Sequence, residues 1–241
     1  MTILRAVVAW LTDPAHWQGS DGIPVRVLEH LELSGASVLV AALIALPLGL
    51  AIGHSGRGAW LAVNLANVGR AIPSVAVLGL ALPITIQVFH QLEFWPTFVT
   101  LVVLAIPPIL TNTYVGVRAV DRDLLEAARG VGMDASQVVG RVELPLSLPV
   151  IVAGLRTATV QVIATATLGA WVAEGGLGRY IFDGLDRQEL DRMIVGGLLV
   201  AVLALTADVL FGRLGRWLTS PALRRGERIS VPVEIAGATS R

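Results

Sequence analysis

The chain has 241 residues, 54% hydrophobic and 15% charged, with mean hydropathy +0.72 and a formal net charge of zero; soluble domains carry roughly 25% charged residues, so the deficit points to an integral membrane protein, and the neutral balance gives nucleic acid no field to follow. All 18 basic residues are Arg, which excludes the Lys of a phosphate-cradling P-loop and of a Schiff base; any ATP must be hydrolysed by another chain. With no Cys there are no disulfides, thiolate nucleophiles or Cys-held metals, and the four His at 16, 30, 54 and 90 lack metal-ligand spacing, so neither metal nor cofactor is expected.

The first 27 residues read as an extracytoplasmic or interfacial segment. The apolar run 3–11, ILRAVVAWL, ends at Asp13-Pro14 and is shorter than the ~20 residues a bilayer needs. A signal peptide would need a small-residue cleavage site that does not follow, so an interfacial amphipathic segment is expected. Five stretches then have the length and apolarity to cross: about 31–53, 60–89 (broken by Pro73 and Pro83), 96–117 (with Pro107-Pro108), 148–173 and 192–212. In hydrocarbon every backbone amide needs an internal partner, so these are expected to be helices, kinked at their prolines. The fold class is therefore all-α, a membrane-embedded bundle of about five helices over residues 28–216. Gly49 and Gly53, four apart, mark a face for close helix packing.

Orientation follows from the arginines. With the N-terminus outside, the segments 54–59, 118–147 and the tail from 213 hold eleven Arg, and the opposite side holds five: Arg5, Arg26, Arg179, Arg187 and Arg192. The balance favours N-out and C-in. The loop 174–191 is net acidic, and residues 217–241 read as a cytoplasmic tail with little periodicity. Trp17, Trp60, Trp95 and Trp217 fall near span ends, as an aromatic belt requires.

The stretch 126–149, EAARGVGMDASQVVGRVELPLSLP, is the polar exception. Asp121 to Ala128 reads as a helix with an acidic start. Gly130 and Gly132 interrupt it. A second short helix over roughly 134–141 starts at Asp134, and Gln137 completes a capping-box pattern. Pro145 and Pro149 are expected to turn the chain into the next span. Two short helices joined at a glycine form an angled projection that a partner surface can approach closely.

Glu126-Ala127-Ala128, then Gly132, Val142, Leu144 and Pro145 at their spacing resemble the EAA loop of ABC-importer permeases, with Val142 where the pattern carries Ile. The rest of the chain, from about 28 to 215, is similar to the branch of that family that carries glycine betaine, carnitine, choline and proline. The similarity rests on Ile72-Pro73-Ser74, Asn112-Thr113-Tyr114, the run from Ala153 to Ala158, the run from Thr165 to Leu168, and Gly175 to Gly178. Thr111 and Arg70 depart from the branch, which more often carries Arg and a neutral polar residue there. The resemblance implies a type I importer fold in a bacterial plasma membrane. It also implies ATPase coupling through the loop at about 119–147, and three partners: an ABC ATPase, a second permease and a separate extracytoplasmic binding protein. The alternatives are an importer for an amino acid or sulfonate, or a channel or secondary transporter without an ATPase.

Several polar residues lie inside the expected spans. Thr157, Gln161 and Thr165 recur every four residues, and with Ser74 and Asn112 they are the candidates for lining a translocation path. The competing role for each is packing, with hydroxyls bonded to their own helix. Arg156 is placed to snorkel toward the cytoplasm, and Asp208 to pair with Arg156 or Arg213. Glu174 with the Gly175–Gly178 turn either meets a docked partner or simply reverses the chain.

Overall fold

The computed structural model describes residues 3–218, except 61–63, 65, 66, 68, 70 and 91. Arg70 and the tail from 219 fall outside the described residues. The described chain is helical, and four of its helices are long and apolar enough to cross a membrane, with a fifth, shorter apolar helix at Ser74–Phe89.

Helix α1 (Ile3–Thr12) buries Val7 and leaves Ile3, Leu4 and Val8 exposed, an amphipathic build. Its C-terminal residues Trp10 and Leu11 pack against the cluster of Ile23, Ile163, Leu177, Tyr180 and Val200, which ties it to the bundle. Helix α2 (Ile23–Ser55) begins earlier than the apolar run at 31. Proline in its first turn suits a helix start, and the charges of that turn find partners: Arg26 bridges Asp21 and Glu29. It ends at Gly56, which adopts φ +69° and donates its N–H to the Ile52 carbonyl.

The expected span 60–89 is not one continuous helix. Ile72 and Pro73 interrupt it, and α3 is Ser74–Phe89, 16 residues. Proline disfavours helical geometry in the residue before it, which places the break. Pro83, by contrast, is carried inside α3, as Pro107 and Pro108 are inside α4 (Phe94–Arg118).

The 126–149 stretch departs from expectation at its end. After α5 (Arg122–Gly130) and α6 (Ala135–Val138), the chain passes through one π turn (Val139–Glu143) straight into α7 (Leu144–Thr165). Pro145 and Pro149 make no turn. The wider π turn shifts the hydrogen-bond register just ahead of Pro145, where a regular helix would press its ring on a carbonyl. Taken together, Ala135 to Thr165 is about 46 Å of helix, well beyond a ~30 Å hydrocarbon layer, so its first turns project into water. A 3₁₀ segment follows (Ala166–Val172). The expected acidic loop 174–191 holds a helix, α8 (Gly178–Asp186), which buries Gly178, Tyr180 and Gly184. Its charges pair within and beyond it: Asp183 meets Arg179 at 3.4 Å and Arg192 at 2.9 Å. Helix α9 (Leu190–Leu218) closes the bundle.

Helix α4 is the centre. It is buried along most of its length and packs against α2, α3 and α7; α9 lies against α7 and α8 and is mostly exposed. The core joins Leu33, Ala41 and Ala45 of α2, Leu101, Ala105 and Ile109 of α4, and Ala158 and Val162 of α7. Leu39, Leu43, Leu80, Ile84, Val202, Leu205 and Leu210 face outward, the surface a bilayer would cover. Gly49 and Gly53 are where α2 meets α4: a Cβ on either would stand 2.6 Å from the Cβ of Thr113 or Val117. Gly49→Leu or Gly53→Leu should therefore force α2 off α4 at a cost of about 1–3 kcal/mol. Thermal unfolding of the purified protein in detergent checks this, with Gly79→Leu, whose Cβ would meet nothing within 4 Å, expected to unfold like the unsubstituted chain.

Candidate functional site

The ends of the helices define two polar faces. At one, the end of α2 and the start of α7 meet. His54 Nδ1 lies 2.8 Å from Glu143 Oε2, and the Glu143 side chain is almost wholly buried. At the other, the start of α2 meets the chain after α7. Gly176 donates its N–H to Glu29 at 2.7 Å, Tyr180 donates its hydroxyl to the Asp21 carbonyl at 2.6 Å, and the buried His30 ring bonds the Ile163 carbonyl at 2.9 Å. That carbonyl lies in the last turn of α7, where helical donors run out.

The first face carries the angled projection. Asp121 caps α5, accepting the Asp123 N–H at 2.9 Å. Gly132 follows with φ +89°, and Met133 donates its N–H to the Ala128 carbonyl at 3.1 Å. This closes α5 with a left-handed residue, a conformation that favours glycine. Asp134 then opens α6 with the expected capping box: it accepts the Gln137 N–H at 2.9 Å while Gln137 Oε1 accepts the Asp134 N–H at 3.2 Å. The Gln137 N–H, helped by the Ser136 hydroxyl, holds the Asp134 carboxyl below the usual carboxylate range, so the cap is charged at neutral pH.

Glu126 and Ala127 are exposed on α5, Ala128 turns inward, and Gly132 is exposed at the bend. Val142, Leu144 and Pro145 belong to the π turn and the first turn of α7 instead of the loop. Glu126 shares a pocket of about 270 Å³ with Arg118, Arg122, Arg129, His54 and Glu143. The projection is thus connected to α2 and α7 through one polar cluster. Nothing in the local pattern marks the His54–Glu143 pair, whose partners lie 89 positions apart.

Within the bundle, Thr157 and Gln161 line an open groove of about 520 Å³ with Ala153, Val160, Arg156 and Asp208. Arg156 donates from its Nε and Nη2 to the two oxygens of Asp208, each at 2.5 Å. Asp208 therefore takes Arg156 as its partner. Thr157 donates its hydroxyl to the Ala153 carbonyl, the local bond that weighs against a path role. The other three candidates do not line this groove. Asn112 sits in the α4–α7 seam, its amide donated to the Pro108 carbonyl at 2.8 Å and its Cβ facing Gly154. Ser74 is the first residue of α3, and Thr165 the last of α7.

The second face has a pocket of about 640 Å³ bounded by Trp10, His16, Arg26, Tyr180, Asp183 and Arg192. Burial pushes the Tyr180 phenol up to about 12. Glu174 is half-buried, and burial, with the neighbouring Glu93, Glu29 and Glu32, raises its carboxyl above the usual range. A Cβ at Gly175 would press on the Glu29 carboxylate and force it to move. The glycine turn thus anchors the chain reversal to α2.

The fold is a multi-helix bundle with four helices long and apolar enough to cross a membrane and a capped helical projection on one face. Residues 44–220 match the family described as "Binding-protein-dependent transport system inner membrane component". The chain belongs to that family and is a multi-pass membrane transport protein. It is 36% identical over 205 residues, 85% of this chain and 92% of the other, to the choline transport system permease protein OpuBB of Bacillus subtilis. It is 35% identical over 221 residues, 92% and 97% of the two chains, to the carnitine transport permease protein OpuCB of Listeria monocytogenes. It shares the fold of the inward-facing MetNI methionine ABC transporter, with TM-score 0.73 and 23% identity over 87% of this chain and 100% of that one.

Removing the imidazole in His54→Ala leaves the Glu143 carboxylate buried without its partner, an arrangement that costs about 1–3 kcal/mol. The expected result is a lower unfolding temperature for the purified permease. His54→Gln, whose amide can still donate, should recover most of the loss.

Proposed function

We propose that this chain is a permease subunit of an ATP-driven importer for a compatible solute of the quaternary-ammonium class: glycine betaine, carnitine or choline. The observation that carries the reading is the glycine-hinged, capped helix pair Arg122–Val138, in a chain alignable over most of its length with permeases named for choline and carnitine. In this reading the pair is the coupling element. Glu126, Ala127 and Gly132 face a separate ABC ATPase, Ala128 packs the helix pair from within, and Val142, Leu144 and Pro145 pass the ATPase's movement into α7. The N-terminus is outside and the C-terminus cytoplasmic, in a bacterial plasma membrane, as the arginine distribution favours.

Two such subunits, identical or paralogous, enclose one path. ATP binding draws two ATPases together, the projections follow, and the bundles rock between inward- and outward-open states. A separate extracytoplasmic binding protein delivers the solute. The groove at Thr157 and Gln161 is the path surface contributed by this chain; Ser74, Asn112 and Thr165 support it from α3, the α4–α7 seam and the end of α7. An amino-acid cargo finds less support, because the methionine transporter is similar in fold alone at 23% identity.

Reconstitution of the permease with the ATPase and binding protein encoded beside it tests the reading. ATP-dependent uptake of radiolabelled glycine betaine or choline, without uptake of methionine, is the expected result; uptake of methionine alone would overturn it. Gly132→Val, which forces a β-branched residue into φ +89°, should lower solute uptake by about tenfold or more. Co-purification with the ATPase is expected to fall in parallel.

A further inference from the structure

The groove bounded by α7 and α9 holds a guanidinium that is only half used. Arginine has five N–H donors in a fixed fork. Arg156 gives its Nε and one Nη2 hydrogen to Asp208, and no other hydrogen bond of Arg156 occurs among the described residues. Its Nη1 is flanked by Gly212, where even a Cβ would stand 3.6 Å away, so no side chain from that position covers it. The pair is substantially exposed, 44% for Arg156 and 33% for Asp208, on helices long and apolar enough to span the membrane. A charge pair turned to lipid is unfavourable, and such residues face a bundle interior or a watery cavity. The lining is otherwise neutral: Ala153, Thr157, Val160 and Gln161.

Resting on the solute reading above, we propose that this groove is a transit subsite for solutes bearing a carboxylate, held by the outward edge of Arg156. Asp208 orients the fork, as a carboxylate bonded to one edge of a guanidinium fixes the direction of the other. It also keeps the groove neutral overall. A zwitterion therefore meets a donor pair for its carboxylate without a net charge that would trap it. Its quaternary ammonium has no N–H to satisfy and needs only the Gln161 carbonyl oxygen and the far side of Asp208 nearby. Arg156 is then a specificity-determining residue that separates carboxylate solutes such as glycine betaine and carnitine from choline, which has an alcohol in that place and cannot accept the paired bonds.

The test uses the whole reconstituted complex, with glycine betaine and choline measured side by side. Arg156→Lys keeps the charge opposite Asp208 but loses the second edge of the fork; Arg156→Gln/Asp208→Asn removes both charges together and leaves amides that can still bond each other. In complexes that co-purify with the ATPase, either variant is expected to raise KM for glycine betaine by about tenfold or more while choline changes by less than about threefold. Equal effects on the two solutes, or no effect on either, would overturn the proposal and leave the pair a tie between α7 and α9. Failure of both variants to assemble would do the same. A wild-type complex that carries neither solute defeats the functional reading itself, before any variant is compared.

Discussion

The bundle depends on how closely three helices approach one another. Lipid is as apolar as a leucine side chain, so burial alone gives membrane helices little reason to associate; packing contact does. Glycine at 49 and 53 brings α2 onto Thr113 and Val117 of α4, and Gly154 brings α7 onto Asn112 from the other side. With α4 held between them, the end of α2 and the start of α7 are adjacent. His54 can then reach Glu143, and the polar cluster under the projection exists at all.

That adjacency is what the proposed coupling role of the projection rests on. Its outer part is a local structure: Asp121, Gly132 and the Asp134–Gln137 box each satisfy helix-end donors or carbonyls within a few residues. Its inner part is a rigid continuation. The π turn lets helix run past Pro145 from Val138 into α7 without a break. The His54–Glu143 contact joins the start of that helix to the end of α2. At the opposite face, His30 bonds the last turn of α7, and Glu29 and Asp21 bond the chain after it.

Charge inside the bundle obeys the same logic. Arg26, in the first turn of α2, finds its carboxylate partners within five residues, whereas Arg156 of α7 is given Asp208 of α9 by the fold. The Arg156–Asp208 pair lies on a helix face otherwise made of Ala, Val, Thr and Gln. Helices turned to lipid carry leucine, isoleucine and valine at comparable positions.

The sequence by itself determined the helical class, the approximate spans, the break before Ser74, the capping box at Asp134, the glycine bend and the close-packing pair Gly49 and Gly53. Each is set by interactions within a few residues, or by the requirement that a backbone in lipid satisfy its own amides. Only the tertiary structure decided the rest. Two prolines that read as a turn lie in a continuous helix, Pro145 just past a π turn and Pro149 inside α7. A charged loop became α8 because Arg192 and a buried Tyr180 tie it to the bundle. Asn112, a path candidate by polarity, is placed in a helix seam by the glycine opposite. Asp208 took Arg156 over Arg213, and Glu143 took His54, across 52 and 89 residues of sequence. Local pattern carries no information over such distances, and only packing chooses which distant charges meet.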